Sequence, residues 1–147
     1  MTPKEEAKKF LQNNYLASVA TLSPDGEPQV AIVLYCLDDK FNLYFATRKH
    51  TRKSVNLENN GKIGIAVGGD HSPTTAQMQG RAETSQEYLG EFTKRLEERS
   101  DIKNYYYDSF LKIPGLDLQV FKVKISWLRY MRLNPEIGRE EYLQIEI

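Results

Sequence analysis

The chain has 147 residues, of which 40% are hydrophobic and 27% charged, and Lys+Arg (20) balances Asp+Glu (20) at a formal net charge of zero. That length suits one domain with its own core, and the charge balance argues against an overall electrostatic grip on nucleic acid or an anionic membrane. The single cysteine, Cys36, excludes an intrachain disulfide, and with only His50 and His71 beside it no metal site is expected.

The first segment, Pro3–Asn13, reads as a short helix. Thr2 can cap it, Pro3 suits its first turn, and Ala7, Phe10 and Leu11 recur at helical spacing. The opening residues, MTPKEEAKKFLQ, lack the apolar stretch of a secretory signal, and no apolar run approaches the ~18 residues of a membrane span, so a cytoplasmic setting is expected. Tyr15–Leu22 is strand-like and stops at Ser23-Pro24-Asp25-Gly26, a strong turn signal. Pro28–Leu37 follows and completes a hairpin. Asp38-Asp39-Lys40 is the next turn, and Asn42–Thr47 is a third strand.

A basic run, Arg48–Lys53, comes next. Thr51 or Ser54 can cap a short helix that ends at Asn60-Gly61. Lys62–Val67 and Thr75–Glu83 read as strands four and five. From Ser85 to Arg99 the period turns helical, with Tyr88, Leu89, Phe92 and Leu96 on one face. Tyr105, Tyr106, Tyr107, Phe110 and Leu111 form an aromatic continuation that Pro114-Gly115 ends. Leu118–Ile125 and Trp127–Leu133 read as two further strands, and Glu140–Ile147 as a short terminal one. Six or seven short antiparallel strands with two or three helices imply a small barrel or sandwich with helices attached.

Most catalytic patterns are absent: no GxSxG elbow, P-loop, HExxH or helix-opening GxGxxG occurs. One segment carries chemistry. Arg48, Lys49, His50, Arg52 and Lys53 are five potential cations in six positions, where a strand ends and a helix begins. A helix N-terminus offers unpaired N–H groups and partial positive charge, and Thr47, Thr51 and Ser54 add hydroxyls, so the segment suits a phosphate monoester. A solvated basic turn is the plain alternative. Cys36 reads as a small core residue. Trp127 reads as a core or interface anchor before a cofactor contact. Gln77 and Gln79 share one strand face and would read a heteroaromatic edge if that face lines a cleft.

The hairpin YLASVATLSPDGEPQVAIVLYCLDD, the strand NLYFAT, the segment RKHTRKSVNLENN and the strand ending QMQGRAE together resemble the pyridoxamine 5′-phosphate oxidase-like, FMN-binding split-barrel proteins. The similarity runs from about Phe10 to Glu83. It implies a mainly β fold with attached α-helices: one domain over residues 1–147, a six-stranded antiparallel split β-barrel, homodimeric, with FMN in a cleft at the dimer interface. Ala31, Ile32, Val33 and Leu34 would then run along the flavin, with Cys36 closing that stretch. Ala46 and Thr47 would meet the cofactor. Arg52 and Lys53 match the pair that holds the phosphate, with Arg48 and Thr51 beside them. Gln77 would stand in for a flavin-contacting glutamine whose own place is taken by Thr75, and Trp127 joins the cofactor set.

The departures bear on activity. Ala31 and Cys36 occupy places where the true oxidase has Arg and Lys, and EIGREEYLQIEI lacks its substrate-binding Arg-x-His pair. Vitamin B6 oxidase activity is therefore not expected, and no catalytic residue is assigned. The expectation is a small flavoprotein with FMN as cofactor, an oxidoreductase of unidentified substrate. The alternative is a non-catalytic module binding a deazaflavin or haem on the same scaffold.

Overall fold

The structure, a computed structural model, describes residues 1–99, 101–102 and 117–147. The aromatic stretch Tyr105–Leu111 and its Pro114-Gly115 stop lie outside the described residues. Helix α1 (Pro3–Asn13) opens with a capping box. The Thr2 hydroxyl accepts from the Glu5 N–H at 3.2 Å, and the Glu5 carboxylate accepts from the Thr2 N–H at 2.9 Å.

Seven antiparallel strands follow: β1 (Leu16–Leu22), β2 (Pro28–Leu37), β3 (Asn42–Arg48), β4 (Lys62–Gly68), β5 (Thr75–Thr84), β6 (Leu118–Asn134) and β7 (Arg139–Ile145). They are ordered β3-β2-β1-β4-β5-β6-β7, and a further β3–β6 pairing closes the first six into a barrel. Closure removes the free strand edges that a six-stranded sheet would otherwise expose. β7 is the extra strand, paired to the second half of β6 from Leu128 to Asn134.

Alternation fills the barrel. Ala17 and Val19, Tyr35 and Leu37, Ile63 and Ile65, and Ala76 and Met78 point inward. Phe45 stacks on Phe121 across the β3–β6 seam at 5.5 Å between ring centroids. Each mouth is covered by a helix. Ala7 and Leu11 of α1 enter the core at one end, where the Tyr35 hydroxyl donates to the Leu11 carbonyl. Leu57 of α2 (Arg52–Asn59) enters at the other. Helix α3 (Glu87–Glu97) lies outside the barrel, with Phe92 and Leu96 covering Leu34, Cys36, Tyr44 and Ala46.

One sequence expectation is corrected. Leu118–Ile125 and Trp127–Leu133 are not two strands but halves of the single 17-residue β6. Gln79 pairs with Trp127 and Gly80 with Ile125, which leaves Ser126 as the extra residue of a β-bulge. The bulge shifts the inward phase from Val123 and Ile125 to Leu128 and Tyr130. In sequence that phase slip looks like a strand break. Among the described residues no helix is long and apolar enough to cross a membrane.

Candidate functional site

The basic run forms a tight turn between β3 and α2. Arg48, Lys49 and His50 are exposed, and His50 has φ of 68°, a left-handed conformation that costs a non-glycine residue about 1–3 kcal/mol. The Lys49 N–H donates to the Asp117 carbonyl at 2.9 Å and ties the turn to the start of β6. Thr51 caps α2: its hydroxyl accepts from the Ser54 N–H at 3.4 Å and donates to the Arg48 carbonyl at 3.0 Å. Thr47 Oγ1 lies 3.1 Å from Thr51 Oγ1. Thr47 Oγ1 also lies 3.5 Å from the Arg48 carbonyl oxygen that Thr51 donates to. Both hydroxyls thus hold the turn together. Arg52 and Lys53 stand in the first turn of α2, where helix N–H groups lack intrahelical acceptors. Lys53 is half-buried, and burial pushes its ammonium below its ordinary value.

Polar side chains fasten α2 across the mouth. Ser54 Oγ donates to Gln119 Oε1, and Gln119 Nε2 donates to Glu58 at 2.8 Å. Asn56 is 3% exposed, and its Nδ2 donates to both Thr21 Oγ1 and Gln29 Oε1 at 2.9 Å. Lys53 and Asn56 are three residues apart and so share a helix face. Asn56, one turn on from Arg52 and Lys53, thus ties α2 to the start of β2.

That stretch is apolar and open: Val30 is 72% exposed and Ile32 70%. Two rows of paired residues run from it across the barrel. One is Val30, Ala20, Gly64, Gln79 and Trp127; the other is Ile32, Ser18, Ala66, Gln77 and Arg129. The middle residues of both are small, so the face is flat. At its far side the Arg129 guanidinium lies 5.8 Å from the Trp127 ring centroid and 5.4 Å from that of Tyr142.

Of the residues picked from the sequence, Thr47, Arg48, Thr51, Arg52 and Lys53 gather at the turn. Ile32, Gln77 and Trp127 share the flat outer face. Ala31 and Val33 point into the barrel, and Leu34 and Ala46 lie beneath α3, so these four offer only backbone to a ligand outside. Cys36 is buried under α3 as well, and burial pushes its thiol up to about 11. Among the described residues no three His, Cys, Asp or Glu side chains gather as metal ligands. Sequence reasoning missed Thr21, Gln29, Asn56 and Gln119, polar residues that register brings together from distant segments.

A closed six-stranded barrel with a basic helix turn at one mouth places the chain in the split-barrel class. The pyridoxamine 5′-phosphate oxidase family profile matches residues 3–132, and the chain belongs to that family. No curated protein matches it by sequence. Solved structures share the fold at low identity. A pyridoxamine 5′-phosphate oxidase-related, FMN-binding protein from Nostoc punctiforme aligns with a TM-score of 0.65 and 13% identity, over 100% of this chain and 99% of its own. A haem-binding protein from Mycobacterium smegmatis aligns at 0.70 and 19%, over 98% and 58%. General stress protein 26 from Bacillus anthracis aligns at 0.68 and 15%, over 98% and 100%.

Proposed function

We propose that this chain is a small FMN-binding flavoprotein that works as a homodimer and acts as an oxidoreductase on a small-molecule substrate. The carrying observation is the Asn56–Gln29 bond, which ties the helix bearing Arg52 and Lys53 to the start of β2, just before its exposed apolar stretch. An FMN molecule has the same two parts, a phosphate dianion and a flat apolar ring system. Arg52 and Lys53 would hold the phosphate, with Arg48 at the rim and Thr47 and Thr51 shaping the turn. The backbone of Ala31–Leu34 and the Ile32 side chain would face the ring. When bound, the isoalloxazine would supply the hydride chemistry, and the protein would supply binding, orientation and exclusion of water.

A second copy is the occupant expected on the flat face. Val30 and Ile32 stand exposed on the same face of β2, and the small residues Ser18, Ala20, Gly64 and Ala66 beside them allow close backbone approach. A deazaflavin also carries a phosphate and would use the same turn, while haem would need an axial side chain such as His50 or His71.

The test is the visible spectrum of the purified protein, followed by FMN titration of the wild type and of Arg52→Ala/Lys53→Ala. The expected result is saturable FMN binding that the double variant weakens by roughly 10–100-fold, in line with loss of one or two charge-assisted contacts. Unchanged affinity in the variant would remove the phosphate assignment. A wild-type protein that ignores FMN but retains a deazaflavin or haem spectrum would replace the cofactor.

A further inference from the structure

A second cationic feature stands apart from the α2 turn. Lys62 pairs with Arg81, and Arg81 pairs with Lys124, so three cations stand side by side in one row on the outer face of β4, β5 and β6. Like charges directly opposite one another are unfavourable in a sheet. None of the three has an ion-pair partner among the described residues. Glu58 and Glu83, which share a neighbouring surface pocket with Arg81 and Lys124, form no ion pair with them: Glu83 accepts from the Tyr88 hydroxyl at 2.9 Å, and Glu58 accepts from Gln119 at 2.8 Å.

The row lines a groove of about 760 Å³. Ala20, Leu22 and Pro28 give that groove an apolar wall, and Gln79 and Ser126 give it polar edges. The bulge shapes it. Gly80 sits where a Cβ would lie 2.5 Å from the Lys124 carbonyl oxygen, so only glycine lets β5 approach β6 this closely beside Arg81 and Lys124. Bulges commonly re-aim side chains next to binding sites.

We propose that this groove binds a small molecule carrying a phosphate dianion on an apolar body, with Lys62, Arg81 and Lys124 holding the phosphate. The dianion relieves the repulsion along the row, and the apolar wall takes the body. The proposal does not rest on FMN binding at α2, because it uses none of the α2 residues. Ala20 and Gln79, at the groove's inner edge, also belong to the flat face expected to meet a second copy.

The probes are phenyl phosphate and inorganic phosphate, followed by amide NMR shifts and by calorimetry on the 147-residue chain. Phenyl phosphate should bind at least ten-fold more tightly than inorganic phosphate and move the Gly61, Gly80 and Ser126 amides. Arg81→Gln/Lys124→Gln should weaken it at least ten-fold, and Lys62→Gln alone should weaken it less. Arg52→Gln/Lys53→Gln should leave the Gly61, Gly80 and Ser126 shifts unchanged, whatever it does to binding at α2. Because the row is self-repelling, the Arg81/Lys124 variant should melt no lower than the wild type. Absence of saturable binding to the wild type overturns the proposal. So does binding that survives Arg81→Gln/Lys124→Gln and disappears with Arg52→Gln/Lys53→Gln, a result that would leave the α2 phosphate site standing.

Discussion

Asn56 Nδ2 donates to Gln29 Oε1 at 2.9 Å, and through this bond a buried helix side chain is tied to the first residues of β2. The same nitrogen serves Thr21 at 2.9 Å, so one amide joins α2 to both strands of the first hairpin. Truncation in Asn56→Ala leaves buried acceptors without a donor, at a cost of about 1–3 kcal/mol. The melting temperature should fall by roughly 2–4 °C per kcal/mol. FMN affinity should fall too, although Asn56 carries no charge and need not touch the cofactor. Thermal melts with and without FMN check this. A variant that melts as the wild type and binds FMN equally would show that α2 is not held to β2 by this residue.

The homodimer reading makes a prediction of the opposite kind, in which assembly changes and the fold does not. Ile32 is 70% exposed, so Ile32→Asp puts a carboxylate into water in the free chain and into an apolar contact in the dimer. Sedimentation should show a dimer for the wild type and a monomer for the variant, with closely similar circular dichroism. A wild type that sediments as a monomer at working concentrations would end the dimer reading.

Strands β1 and β4 were legible because buried and exposed residues alternate along them, and β2 and β3 because turn residues bound them, at Ser23–Gly26 and Asp38–Lys40. The Arg52–Lys53 turn was legible because its cations are adjacent in sequence. The continuity of β6 was not, since the bulge at Ser126 breaks the alternation that identifies a strand. The row Lys62, Arg81 and Lys124 was invisible for a different reason. Each residue alone is an ordinary exposed strand cation, and only strand register, set by the whole closed sheet, makes them neighbours. The outward set of β2 was half legible. Ile32 faces solvent, but the sequence does not say that α3 returns to cover Leu34 and Cys36.

That coverage has a consequence for pH. Burial under α3 pushes the Cys36 thiol up to about 11 from about 9, opposed by the nearby Arg99 charge. In the folded chain the thiol stays protonated where the unfolded thiol ionises. Its contribution to stability is therefore full below about pH 9 and is lost as pH rises towards 11, with a limiting slope of roughly 1.4 kcal/mol per pH unit. The stability gap between wild type and Cys36→Ala should narrow over that window. Denaturant melts on either side of it check the sign, and a gap that widens with pH would mean the thiol ionises readily in place. A thiol-specific reagent at neutral pH should label the native protein far more slowly than the unfolded chain.

Two glycines separate steric need from helix propensity. At Gly80 a Cβ would lie 2.5 Å from the Lys124 carbonyl oxygen and 2.9 Å from Val123 Cγ1, so Gly80→Ala must push apart the bulged strands β5 and β6. Overpacking of this kind costs about 1–3 kcal/mol, and here the obstacle is backbone, which yields poorly. At Gly90, inside α3, a Cβ meets nothing within 4 Å, and the residue is exposed. Gly90→Ala should therefore stabilise the protein by about 0.5–1 kcal/mol, because alanine loses less backbone freedom than glycine in a helix. The two variants should melt on opposite sides of the wild type. If Gly80→Ala melts at or above it, the close approach of β5 to β6 is wrong, and with it the shape assigned to the groove beside Arg81 and Lys124.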